Sequence, residues 1–92
     1  DAEDTNGIRD LEAVCGKVHI YPNPVNNQLV IEGGKAVIDA RLKIFDLQGK
    51  KVYQGVFKNN RMIIPMSEYS SGMYLLQIEK GDQKGQIKIL KQ

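Results

Sequence analysis

The chain has 92 residues, 41% hydrophobic and 26% charged, with a formal net charge of +2, which is room for one small domain of ordinary globular composition. No apolar run approaches the roughly 18 residues of a membrane-spanning helix, and the acidic opening lacks the pattern of a signal peptide, so a secreted parent would carry its leader upstream. One cysteine, Cys15, excludes an internal disulfide, and one histidine, His19, cannot build a histidine-based metal site.

Residues 1–16 carry five acids against Arg9 alone, a local charge of −4, whereas 17–92 hold twelve Lys or Arg against six acids, +6. The first stretch is polar, contains Asn6-Gly7, and reads as an acidic linker. Ile8, Leu11 and Val14 are compatible with a short helical turn over 8–14. The charge step fits a solvated tether beside a basic domain, or an attractive contact between the two. From Lys17 onward the pattern becomes short β-type runs punctuated by Gly, Pro and Asn. Residues 17–21 alternate Val18 and Ile20 with Lys17 and His19, and 28–32 form a short β-branched run. Residues 36–38 read as a separate short strand or as the lead into the next one. In 41–47, Leu42 and Ile44 share one face and Lys43 and Phe45 the other. Residues 51–58, 61–65, 73–80 and 85–91 complete the set, the last two joined by Gly81-Asp82-Gln83-Lys84, with Leu75 read as a core position. About seven strands, turns roughly every 8–12 residues and no long amphipathic helix predict an all-β chain, an immunoglobulin-like antiparallel β-sandwich over 17–92.

The turns have identifiable chemistry. In Tyr21-Pro22-Asn23-Pro24 the prolines remove two backbone donors and fix φ at about −65°, which ends a strand abruptly. Asn26-Asn27 supplies side chains that bond locally to the backbone. Asp46-Leu47-Gln48-Gly49 reads as a hairpin loop with a left-handed glycine, and Ser70-Ser71-Gly72 as a redirection into the next strand. Catalytic motifs are missing. Gly33-Gly34-Lys35 lacks the spacing of a phosphate loop, Asp39, Asp46 and Glu68 are scattered singly, and Cys15 with His19 does not make a persuasive dyad. Lys50, Lys51, Lys58, Lys84, Lys88 and Lys91 suit a solvated strand face better than a nucleic-acid patch, because no recognisable module or interleaved aromatics accompany them. Met62, Met66 and Met73 read as packing residues. The expectation is a non-enzyme with no cofactor and no metal, a binding or structural module.

Four blocks in order resemble one family. Val18-His19-Ile20-Tyr21-Pro22-Asn23-Pro24 followed by Leu29-Val30-Ile31 is similar to the opening of the C-terminal sorting domains of type IX secretion cargo. Residues 42–52, with Asp46-Leu47-Gln48-Gly49 at their centre, resemble that family's central hairpin. Ile64-Pro65-Met66-Ser67 through Ser71-Gly72-Met73-Tyr74-Leu75-Leu76-Gln77-Ile78 resembles its Gly-X-Tyr strand, apart from a proline where a polar residue is usual. Ile87-Lys88-Ile89-Leu90-Lys91-Gln92 is like its short basic terminus.

The resemblance implies a non-catalytic secretion signal. Such domains pass through the periplasm of Bacteroidetes-type bacteria and are recognised by the type IX outer-membrane translocon and its shuttle proteins. They bring the attached cargo to the outer membrane, the cell surface or the medium. For many cargoes a cell-surface sortase removes the domain, which would place the cut in the 1–16 linker. The residues carried over as sorting or recognition positions are Tyr21, Pro22, Asn23, Pro24, Gly49, Gly72, Tyr74, Lys88 and Lys91, with Lys88 and Lys91 presenting charge. A homodimer through an exposed edge strand is compatible with the pattern. The alternative is an adhesion or carbohydrate-binding module, which the absence of tryptophan disfavours.

Overall fold

Alternation puts one face of each strand out of water, and two such faces cover each other when the chain closes into a sandwich. A computed structural model describes residues 9–11, 18–22 and 24–92, with side chains from Val18 onward. Eight strands follow in chain order: β1 (Arg9–Leu11), β2 (Val18–Tyr21), β3 (Gln28–Glu32), β4 (Arg41–Phe45), β5 (Lys51–Val56), β6 (Arg61–Pro65), β7 (Gly72–Lys80) and β8 (Gln83–Lys91). They form two four-stranded sheets, ordered β1-β2-β3-β6 and β5-β4-β7-β8, with every neighbouring pair antiparallel. Leaving β1 aside, β2-β3-β6 against β5-β4-β7-β8 is an immunoglobulin-like arrangement, with β5 hydrogen-bonded into the second sheet. The expected all-β sandwich is the fold.

The inner faces meet through aliphatic side chains. Val18 and Ile20 of β2, Leu29 and Ile31 of β3 and Ile64 of β6 cover Leu42 and Ile44 of β4, Leu76 and Ile78 of β7 and Ile89 of β8, all fully buried in one cluster. β4 and β7 are the central strands of the second sheet, and each alternates buried and partly exposed residues along its length.

Four expectations need correcting. Residues 35–37 form a single turn of 3-10 helix (Lys35–Val37), not a strand, and its Val37 is buried in the core. Within the stretch compatible with a helical turn, Arg9–Leu11 is instead extended and pairs with Val18–Ile20. Leu75 is half-buried on the outer face of β7, while Leu76 points into the core. The β7–β8 connection is shorter than read, with only Gly81 and Asp82 between the strands. The remainder of the linker, Cys15 and Asn23 lie outside the described residues.

The connections collect at two ends. At the Phe57 end, which also holds loop 81–82, loops 33–40 and 57–60 are drawn together by backbone bonds: Asp39 N–H to Phe57 O (2.8 Å), Phe57 N–H to Ala40 O (2.9 Å) and Gly33 N–H to Asn60 O (2.9 Å). Lys80 Nζ donates to the carbonyls of Ala36 and Ile38, at 2.8 and 2.7 Å. The Phe57 ring is fully buried beneath them. The Gln92 end gathers loops 22–27, 46–50 and 66–71 with the last residues of β8.

Candidate functional site

Each of the four sequence blocks contributes a segment to the Gln92 end. The first does so through Val25, the residue that follows its second proline. Pro22 and Pro24 donate no backbone hydrogen bond and are exposed, so the segment after β2 cannot run on as a regular strand. It makes a single parallel bridge instead: Val25 N–H donates to Leu90 O (2.7 Å) and Gln92 N–H donates to Val25 O (2.9 Å), with the Val25 side chain buried. The segment thus clamps the last residues of β8 across the gap between the sheets. The Tyr21–Pro22 peptide is cis. Tyr21 is half-buried and its hydroxyl donates to Glu32 Oε1 at 3.0 Å.

The hairpin between β4 and β5 is organised by Asp46. Its carboxylate oxygen Oδ1 accepts the N–H groups of Gln48 and Lys50, both at 2.9 Å, and Gly49 N–H closes onto Asp46 O at 3.0 Å. Gly49 has φ +88°, as the turn reading required. Leu47, at the tip, is 76% exposed. The register between β4 and β5 shifts at Ile44/Phe45, and this bulge carries Phe45 opposite Lys51.

The third block is a corner held by tyrosines. Gly72 begins β7 at φ +143°, outside the range comfortable for an L-side chain. Two residues on, Tyr74 is 8% exposed and its hydroxyl donates back to Ser70 O at 2.8 Å. A tyrosine near the start of this strand, bonded to backbone just upstream, is the corner device of immunoglobulin-like sandwiches. The Tyr69 ring lies 5.8 Å from that of Tyr74, and its hydroxyl donates to Val52 O at 3.2 Å. Burial pushes the Tyr69 phenol above its usual 10.0, and repulsion from Tyr53 and Tyr74 adds to this.

The fourth block puts its two lysines to different uses. Lys88 is exposed on the outer face of β8, opposite Leu75. Lys91 shares the inward parity of Ile87 and Ile89 and is only 6% exposed, with Nζ donating to Gln92 O at 2.6 Å. The pair therefore does not present charge on one face. The other lysines divide similarly, Lys50 and Lys51 at the Gln92 end and Lys58 and Lys84 at the Phe57 end.

Gly49, Gly72, Tyr74 and Lys88 come together around one shallow surface. Register aligns Lys51, Phe45, Leu75 and Lys88 in a single row across the outer face of the second sheet. Beside Phe45 and Leu75 lies a depression of about 390 Å³, bordered by Leu47, Gly49, Tyr74 and Lys88. A second hollow continues past Leu47 to Ser70, Gly72 and Met73. Sequence reasoning singled out the two glycines, Tyr74 and Lys88 but missed Phe45, Leu47 and Leu75, which form the apolar part. Among the described residues no group of three His, Cys, Asp or Glu side chains could hold a metal ion, and no helix is long and apolar enough to cross a membrane.

The model of one family, the secretion system C-terminal sorting domain, matches residues 19–92. No curated protein and no solved structure matches the chain. The match takes in nearly the whole of β2 and all of β3 to β8, so the chain belongs to the family of type IX secretion C-terminal sorting domains.

Proposed function

We propose that this domain directs an attached cargo protein through the type IX outer-membrane machinery by docking as a folded module, without catalysis of its own. The observation that carries the reading is the family match over 19–92. On this reading the cargo crosses the periplasm, is engaged by the translocon and its shuttle proteins, and reaches the cell surface or the medium. A cell-surface sortase then cuts within 1–16, the acidic stretch lying before the matched domain. The sorting positions act mostly by building the Gln92 end: Tyr21, Pro22 and Pro24 set the clamp on β8, Gly49 and Gly72 set the turns, and Tyr74 locks the corner, with Asn23 as a further recognition position. Lys91 is held inward, and Lys88 lies on the exposed outer face of β8. Pairing of two copies along an edge has least support at β5, where a bulge, Lys51 and the Tyr69 hydroxyl on Val52 O all blunt the edge.

The test is to fuse residues 1–92 to a periplasmic reporter in a type IX-competent strain. The fusion is expected at the cell surface or in the medium, with its new C-terminus, read by mass spectrometry, inside 1–16. A version lacking 87–92 is expected to stay in the periplasm. Retention of the intact fusion, or export of the truncated one, contradicts the reading.

A further inference from the structure

Part of the stretch that precedes the matched domain belongs to the sandwich. Arg9–Leu11 forms β1 and pairs with Val18–Ile20, so the sheet β2-β3-β6 gains an outer strand from residues the family match does not cover. β1 also touches β8 of the other sheet. Without it β2 would be an open edge. The hydrogen-bonding direction of each β1 residue follows from the ladder. One residue beyond either end of β3, Met66 N–H donates to Asn27 O (2.8 Å) and Gly33 N–H to Asn60 O (2.9 Å). Bonded positions alternate in an antiparallel ladder, so odd-numbered residues of β3 bond to β6 and even-numbered ones to β2. Carried through the registers Glu32↔His19 and Ile20↔Arg9, this turns the backbone groups of Arg9 and Leu11 toward β2 and those of Asp10 away.

The direction matters for cleavage. Arg9 is the only Lys or Arg in 1–16, so Arg9–Asp10 is the one bond there that suits a protease specific for basic residues. A serine protease must draw the carbonyl of the bond it cuts into its oxyanion hole, and the Arg9 carbonyl faces Ile20 of β2 instead. Pairing thus closes the bond that the sequence offers. The closure is local. β2 is held without β1, because Val18 and Ile20 are fully buried and its other edge pairs with β3 from His19 to Tyr21. A strand of three residues at an edge opens at far lower cost than the whole domain. We propose that β1 is a strap: paired with β2 it shields Arg9–Leu11 from proteases, and it peels away while the sandwich stays folded. On the sorting reading, on which this last step rests, opening of β1 paces the cut that frees the domain from its cargo.

The test uses the chain of residues 1–92 with trypsin as the probe. Arg9–Asp10 is expected to be cut about tenfold or more slowly than in a peptide of residues 1–17, yet before any bond within β2 to β8. The product 10–92 remains folded by circular dichroism. Leu11→Pro removes the N–H that faces Val18, and it speeds the cut about tenfold against a peptide with the same substitution, while the sandwich stays folded. In the parent, the Leu11 amide is expected to exchange its hydrogen about tenfold or more slowly than that of Asp10, each relative to its unstructured rate. Cutting of Arg9–Asp10 at the peptide rate, or equal exchange of the two amides, would show that β1 shields nothing. A cut made only together with bonds inside the sandwich, such as the one after Lys43 of β4, would show that β1 does not open by itself. In the reporter fusion, Leu11→Pro is expected to be exported like the parent and to release the domain sooner. If the parent fusion is never exported, the sorting reading fails and the pacing with it, whereas the trypsin and exchange results still decide the strap. If both fusions are exported and release the domain at the same rate, the sorting reading stands and the pacing by β1 is wrong.

Discussion

The two ends of the sandwich use the same kinds of residue for different purposes. At the Phe57 end a fully buried aromatic ring sits under loops whose backbone groups bond to one another, and Lys80 is folded back onto carbonyls of the 3-10 turn. At the Gln92 end Phe45 and Leu75 are left half-covered, Leu47 is exposed, and Lys88 faces outward. Buried apolar groups and satisfied backbone contribute to stability. Apolar groups held at the surface do not, and where several gather around one depression they point to an interaction. The contrast teaches that the four sorting blocks are two things at once. Their glycines, prolines and Tyr74 fix the geometry of one end, and that geometry displays residues the blocks do not advertise.

The sharpest way to break this comparison is at the Phe57 end. Phe57→Ala leaves a cavity in the core cluster and is expected to cost about 3–5 kcal/mol, a large part of the stability of a small domain. Thermal denaturation followed by circular dichroism measures it, and a loss below about 1 kcal/mol would mean that this end does not hold the sandwich together. At the other end, Gly72→Val forces a β-branched residue to φ +143° and is expected to cost about 1–3 kcal/mol through backbone strain, since nothing lies within 4 Å of the position of an added Cβ. Lys80→Met removes two donors from carbonyls that are in part reached by water, and should cost about 1 kcal/mol in the same melt.

The smallest effect concerns pH. The folded state raises the Tyr69 phenol above 10.0, so its contribution to stability is complete below pH 10 and is lost as the pH rises beyond that. The melting temperature of Tyr69→Phe is therefore expected to fall less steeply above pH 10 than that of the parent. Parallel curves would show that Tyr69 is not the group responsible.

The strands from β2 to β8 were largely legible because alternation and Gly or Pro punctuation act locally. Gln28–Glu32 and Arg61–Pro65 were bounded correctly, and the left-handed Gly49 followed from the hairpin length. The errors have physical causes. Met73-Tyr74-Leu75-Leu76 is apolar at every position, so alternation cannot set its phase, and Leu75 was assigned to the wrong face. Lys91 shares the parity of Ile87 and Ile89, yet its charge outweighed that parity in the reading. β1 is short and polar and is defined by its pairing with β2, which no local pattern announces. The clamp by Val25 and the meeting of Phe45 with Leu75 depend on pairing between segments tens of residues apart, and such contacts emerge only from the fold.

The claim that recognition belongs to the Gln92 end can be tested by inserting Gly-Ser-Gly into one loop at each end of the reporter fusion. Short insertions in exposed turns are expected to leave the domain folded, and melting curves select the variants for which this holds. With the insertion between Gly81 and Asp82 the reporter should be exported like the parent. With the insertion between Leu47 and Gln48, it should remain in the periplasm. Equal export of the two folded insertions would contradict the account, because it would show that the machinery does not distinguish the ends.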